Sequence, residues 1–295
     1  MRTEANRRWT AVCTGFSLVA FAANSVLCRR ALGDGKIDAA SFSTVRLGSG
    51  AAMLLLLGAA LKGPSPSGTR SHWGSGALLF LYAVAFSFAY RSLSAGTGAL
   101  ILFGAVQVTM LLAAWCSRER PHPREWAGLF LALAGLVVLV LPGLQAPSPV
   151  GCSLMALAGI SWGVYSLRGR GGEAPLASTT ANFVCSVPLA VAVSLLGLRH
   201  ARLSLEGVLL ATLSGALASG VGYAVWYAAL RGLSATRAAT VQLSVPILAA
   251  LGGVMFLSEH GSMRLALSAI MILGGVGLAV SGRATRRRGQ RGTAP

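Results

Sequence analysis

The sequence predicts an all-α integral membrane protein, with ten transmembrane helices arranged as two inverted-topology repeats of five. Three observations carry this prediction. Hydrophobic residues make up 54% of the 295-residue chain, charged residues only 11%, and the mean hydropathy is +0.67. An average soluble domain has roughly 25% charged residues. Ten apolar runs follow one another between short polar breaks, most of them near the ~20 residues that a helix needs to cross a ~30 Å hydrocarbon layer. The chain also resembles itself at offsets of 136 and 140 residues.

The first run, near 9–28, follows Arg7 and Arg8 and ends before Gly33-Asp34-Gly35. Its basic pair and the Ala20-Phe21-Ala22 pattern would also suit a signal peptide. The repeat described below argues instead for a structural unit. The second run, 39–61, holds Arg46 and stops before Pro64-Ser65-Pro66-Ser67-Gly68. The third, 73–90, and fourth, 96–116, flank "RSLSA". Pro121-His122-Pro123 precedes the fifth, 124–141, and Pro142-Gly143 ends it. The sixth, 150–167, follows Pro147-Ser148-Pro149 and stops at Gly169-Arg170-Gly171-Gly172. The seventh, eighth, ninth and tenth fall near 174–197, 207–229, 236–257 and 263–281, ahead of a basic tail at 283–295. Glycine and proline at these breaks are what stops a helix and turns a chain.

The self-resemblance defines the two halves. At an offset of 136, Gly15, Ser17, Leu18, Ala20, Ala22 and Ser25 fall on Gly151, Ser153, Leu154, Ala156, Ala158 and Ser161. At 140, Arg91, Leu93, Ser94, Ala95, Ala99 and Glu119 fall on Arg231, Leu233, Ser234, Ala235, Ala239 and Glu259. The units are 9–141 and 150–282. Five crossings per unit make the second enter the membrane from the opposite side, an architecture that places a solute site near the midplane between the halves.

The net charge of +17 invites a nucleic-acid reading, but its distribution points to lipid. With the N-terminus cytoplasmic, 17 of the 25 lysines and arginines fall in cytoplasmic segments and seven opposite, Arg46 being the remaining one. That bias is the positive-inside rule, with both termini in the cytoplasm of a multi-pass inner (plasma) membrane protein. The tail then rests on anionic headgroups. No aromatic residues are interleaved with its charges for base stacking, so nucleic acid is not an expected partner. Cys13, Cys28, Cys116, Cys152 and Cys185 show no C-x-x-C spacing and read as packing thiols. No cofactor, metal site or catalytic group is expected, and the sequence sets no oligomeric state.

Arg46 is seven residues into its run, roughly 10 Å deep. A charge at that depth either snorkels to headgroups or faces a cavity or partner. At offset 136 it falls on Asn182, another polar residue in an apolar run. Arg46 would therefore offer a forked donor to a solute carboxylate, or else bond helix carbonyls. The other polar groups within runs are Asn24, Gln107, Asn182 and Gln242, with the aromatics Tyr82, Tyr90, Trp162, Tyr165, Tyr223, Trp226 and Tyr227. The amides suit a pocket or interhelical hydrogen bonds. The aromatics suit a pocket or an interfacial belt. All eight acids and all four histidines fall in loops or at helix ends, which points to exchange or uniport rather than proton-driven transport. It also leaves any intramembrane serine without a base. Glu119 and Glu259 are expected to cap the helix that follows each of them.

The segments "AANSVLCRRAL", "FSTVRLGSGAAMLLLL", "AGISWGVYSLRGR" and "YAALRGLSATRAATVQLSVPILAALGGVMFLSEHGS" resemble the EamA-like branch of the drug/metabolite transporter superfamily across nearly the whole chain. Many relatives have Glu-Pro in the ninth helix, where this chain has Val245-Pro246. The resemblance implies ten helices and a secondary transporter of small organic metabolites such as amino acids, often moving them outward. A passive channel and an intramembrane enzyme are the alternatives.

Overall fold

In lipid, every backbone polar group must find its partner within the chain. The described residues of the computed structural model do this with helices alone. These residues are 2–61, 69–116, 123–140, 147–169, 174–230, 232–233 and 241–291. Among them no strand forms, and the only β-type pairing is an isolated antiparallel bridge between Ile37 and Leu203.

The helices are α1 (Arg2–Gly33), α2 (Ala39–Ala60), α3 (Thr69–Ala89), α4 (Ala95–Cys116), α5 (Pro123–Val140), α6 (Pro149–Arg168) and α7 (Pro175–Leu196). A 3-10 turn, Leu198–His200, follows. Then come α8 (Leu205–Leu213), a π-helical segment π1 (Ser214–Val221), α9 (Gly222–Leu230), α10 (Ser244–Leu257) and α11 (Met263–Arg291). Local chemistry starts several of them. Asp38 caps α2 by accepting the Ser41 N–H at 2.9 Å. Ser148 caps α6, with Pro149 at the position where a missing N–H does no harm. Ser204 caps α8 through the Gly207 N–H.

Among the described residues, six stretches are long and apolar enough to cross a membrane: Arg8–Gly33, Ala39–Ala60, His72–Ala89, Pro149–Arg168, Pro175–Leu196 and Leu205–Leu230. The predicted runs at 96–116, 124–141, 236–257 and 263–281 contain shorter apolar helices, Ala95–Met110, Trp126–Leu139, Ser244–Leu257 and Met263–Leu278. Two details differ from expectation. The eighth run is one rod made of α8, π1 and α9, because its small residues let the helix widen. The run predicted at 236–257 is broken at Leu243, and Pro246 lies in the first turn of α10, which follows the break.

Packing is helix on helix. α1 lies against π1, α9 and α10, and α6 lies against α3 and α4. α2 packs on α7 and π1, and α7 packs on α2 and α3. α4 meets α10, and α5 meets α11. Phe42, Leu47, Leu54, Leu79, Phe86, Met155 and Phe183 fill the centre. The outside is apolar too. Leu196 is 88% exposed and Phe256 70%, with Trp9, Leu56, Met255 and Ile270 similarly bare. Large aliphatic and aromatic side chains exposed in such number mark a surface made for lipid.

Candidate functional site

α2 carries Arg46 two turns in from its Asp38 cap, on the face turned to α3. There Tyr82 and Phe86, four residues apart, present one stripe of the helix. The guanidinium carbon lies 5.3 Å from the centre of the Tyr82 ring and 4.9 Å from that of Phe86. Nη2 donates to the Tyr82 hydroxyl at 3.1 Å. Nε and Nη1 are buried and have no acceptor on the protein, although the residue is only 2% exposed. Arg46 therefore does not snorkel.

Magnitudes show how incomplete this arrangement is. Desolvated cation–π contacts contribute about 2 kcal/mol each, and one hydrogen bond from a charged donor about 1.5–3. Burying an arginine in a membrane costs from about 2.5 to more than 10 kcal/mol, and two donors here stay unpaired. No described carboxylate offsets the charge, since each described acid side chain is committed at a helix end. Asp34 bridges Arg30 and Lys36, and Glu206 bridges Lys36. Asp38 caps α2 and accepts the Arg202 N–H at 3.1 Å. Burial alone would raise the Asp38 carboxyl, but those backbone donors outweigh it and hold the group below its ordinary value.

Rings continue from Tyr82 into the second part of the chain. Trp162 of α6 is 4.9 Å from Tyr82, 5.3 Å from Tyr165 and 5.2 Å from Tyr223 of α9, on which it stacks. Phe21 and Phe183 close on Tyr223 at 5.6 and 6.0 Å. Asn182 of α7 stands at the far end of this cluster. Its Nδ2 donates to the Tyr165 hydroxyl at 3.2 Å, and its Oδ1 lies 3.0 Å from Nδ1 of His72. Asn24 is buried and accepts the Ser214 hydroxyl from the start of π1.

The remaining residues that the sequence singles out lie at the edges of this cluster or away from it. Tyr90 is held near the end of α3, its ring on Phe86 and its hydroxyl donating to the Ala95 carbonyl at 3.3 Å. Trp226 packs with Phe21, Cys13 and Ala229. Tyr227 accepts the Thr179 hydroxyl at 3.3 Å. Gln107 is buried in α4 and Gln242 half-buried ahead of α10, and neither is joined to the Arg46 cluster by the bonds and ring contacts above. Phe86 and His72 are the contributors that the sequence did not signal. Phe86 was findable, because Tyr82, Phe86 and Tyr90 repeat at helical spacing.

Two glycines bring the crossing helices close. A Cβ at Gly215 of π1 would overlap the Arg46 carbonyl and the Ser49 hydroxyl. One at Gly76 of α3 would sit 3.1 Å from the Asn182 carbonyl and 2.7 Å from the Cys185 Cβ.

The end of the molecule where α1 finishes is tied together by polar contacts. Asp38 N–H donates to the Arg202 carbonyl and Ser204 N–H to the Lys36 carbonyl, both at 3.0 Å. Glu259 accepts the Ala95 N–H through both oxygens, at 3.0 and 2.9 Å, and lies 3.4 Å from Nε of Arg29. Glu259 thus caps α4, not the following α11 as expected. Ser258, at φ 53°, turns the chain back on itself and sends the carboxylate across to α4. Glu119 lies outside the described residues. Among the described residues no group of three His, Cys, Asp or Glu side chains is placed to hold a metal.

Apolar helices long enough to span a bilayer, wrapped in an apolar surface, define a multi-pass membrane protein. The EamA-like transporter family matches residues 9–141 and again 149–281, and the chain belongs to that family. It is 51% identical to an uncharacterized protein of Pseudomonas aeruginosa, over 95% of this chain and 98% of that one. It is 26% identical to an Escherichia coli protein named a probable amino-acid metabolite efflux pump, over 71% and 78% of the two chains. A crystal structure with 21% identity shares the fold, with a TM-score of 0.63 over 93% of this chain and 98% of its own.

Proposed function

We propose that the chain is a secondary transporter of small organic metabolites, an exporter or exchanger in the inner membrane with both termini cytoplasmic. It works by alternating access between two inverted five-helix repeats, 9–141 and 150–282. The tail at 283–295 rests on anionic headgroups, and the end closed by Glu259 and the Lys36–Glu206 pair faces away from the cytoplasm. One observation carries the reading: Arg46 of α2 is buried with two unpaired donors, beside a cluster of rings drawn from α3 of one half and α6 and α9 of the other.

Further support comes from the pattern of neighbours. Exchanging α1–α5 with their counterparts in the second half turns α1 against π1 and α9 into α6 against α3, and α2 against π1 into α7 against α3. The pairs α2–α7, α4–α10 and α5–α11 map onto themselves. The family matches two successive stretches, which agrees with this exchange. The named function of the Escherichia coli relative makes amino acids and their derivatives the first solutes to try. Exchange or uniport is favoured because the described carboxylates stand at helix ends. His72, through Asn182, is the residue to replace should flux follow a proton gradient.

The test is counterflow into liposomes carrying the purified full-length chain. Unlabelled solute inside should drive transient, saturable accumulation of labelled solute. Linear flux without counterflow would mean a channel, and none with any solute would overturn the transporter reading.

A further inference from the structure

We propose that the transported solute is an organic anion, a carboxylate without an accompanying ammonium group on a planar apolar body, and that Arg46 receives the carboxylate. The inference rests on the transporter reading and narrows it to a class of solute.

Three observations lead there. Arg46 is 2% exposed, with Nε and Nη1 lacking any acceptor on the protein. A planar guanidinium fork with free donors fits a carboxylate better than it fits any uncharged group. Second, the site has a fixed positive charge and no fixed negative one. The described carboxylates Asp34, Asp38, Glu206 and Glu259 are all engaged at the helix ends, and none pairs with Arg46. A carboxylate entering this site neutralises it. A zwitterion brings an ammonium that finds no carboxylate there, only ring faces already turned to the guanidinium. A cation meets like charge at low dielectric. Third, the side chains beside the fork are flat rings: Tyr82 and Phe86 lie against the guanidinium, and Trp162 continues the cluster from Tyr82 to Tyr223. Ring faces of this kind take a planar apolar body by offset stacking.

Three probes that share a benzyl body and differ in charge test this directly: phenylacetate, phenylalanine and phenethylamine. Binding is measured by calorimetry on the full-length protein in lipid nanodiscs, with Arg46→Gln and Arg46→Lys in parallel. Phenylacetate should bind the unmodified protein at least about tenfold more tightly than phenylalanine, and phenethylamine should not bind in the same range. Arg46→Gln should weaken phenylacetate by about 30-fold, the loss of one or two charge-assisted hydrogen bonds, and Arg46→Lys should recover part of it. The inference is overturned by equal or tighter binding of the zwitterion or the cation, by no binding of any probe, or by a folded Arg46→Gln protein that holds phenylacetate undiminished. Should Arg46→Gln not fold, the order of the three probes on the unmodified protein decides alone. Labelled phenylacetate in the counterflow assay separates the two readings. Arg46-dependent binding without counterflow would keep the ligand class and sink the transporter. Counterflow of zwitterions alone would do the reverse.

Discussion

Arg46 and Asn182 occupy corresponding places in the two proposed repeats, and they are treated in opposite ways. Each has its backbone carbonyl against a glycine of a crossing helix, Gly215 for Arg46 and Gly76 for Asn182. Each is buried and reaches a tyrosine hydroxyl, Tyr82 for one and Tyr165 for the other. The side chains then part. Asn182 engages both its amide atoms, with Tyr165 and His72. Arg46 leaves two of its three nitrogens unpaired. The protein satisfies the Asn182 amide on both atoms and leaves the Arg46 fork short of acceptors, which the proposed solute would supply. Burial by itself therefore does not mark function, whereas burial with an unmet charge does.

The comparison is broken most severely at the backbone. Gly215→Ala drives a methyl into the Arg46 carbonyl and should destabilise the protein by about 3 kcal/mol or more. Gly76→Ala, meeting a side-chain carbon and a more distant carbonyl, should cost less. Gly48→Ala, where nothing lies within 4 Å, should be nearly silent. Thermal unfolding in detergent would rank the three, and an unchanged midpoint for Gly215→Ala would refute the close crossing.

A smaller effect sharpens the contrast between the two polar residues. Asn182→Leu strands the Tyr165 hydroxyl and His72 and should lower stability by about 2 kcal/mol. Arg46→Met, which removes an incompletely paired charge and keeps most of the volume, should change stability by less than about 1 kcal/mol while abolishing saturable flux. Equal losses of stability in both variants would mean that Arg46 is held as well as Asn182 and has no need of a ligand.

The smallest effect belongs to the cap that sets where α2 begins, and with it the depth of Arg46. Asp38→Asn keeps one acceptor oxygen for the cap, loses the one that accepts the Arg202 N–H, and should cost about 1 kcal/mol at neutral pH. The Asp38 carboxyl is depressed in the folded state, so its contribution is complete above the ordinary carboxylate value of about 3.9 and is lost as pH falls through the lower folded value. The difference between Asp38→Asn and the parent should therefore be constant near neutrality and shrink only in acid. A gap that widens in acid would contradict the hydrogen bonding described.

The helical fold was legible because lipid leaves a chain few alternatives, and Gly-Pro-Ser breaks such as the one at Pro64 punctuate the runs. The exceptional residues were legible for the same reason: one arginine in an apolar helix stands out. What it stands against was not. Phe86 repeats at helical spacing with Tyr82 and Tyr90, but only the packing of α3 on α2 sets it against Arg46 and apart from the exposed Phe256. His72 reads as a helix-end residue until α7 brings Asn182 beside it. The partner of Glu259 depended on the left-handed turn at Ser258, which a serine does not advertise. A run of small residues at Ser214 predicts close packing without saying that the helix widens there.

That widening leaves a trace of history. Gly76 and Gly215 stand 139 residues apart, whereas Arg91 and Arg231 stand 140 apart, and π1, which starts at Ser214 and contains Gly215, ends ahead of Arg231. An extra residue in an α-helix rotates everything beyond it by about 100°. A π turn swallows the addition within its own loop of backbone. Under the proposed two-repeat architecture, π1 is where the second half accommodates one residue more than the first. The copies have thereby ceased to be interchangeable: a gene spliced from two first halves or two second halves would mismatch the π1 register, besides doubling Arg46 or losing it.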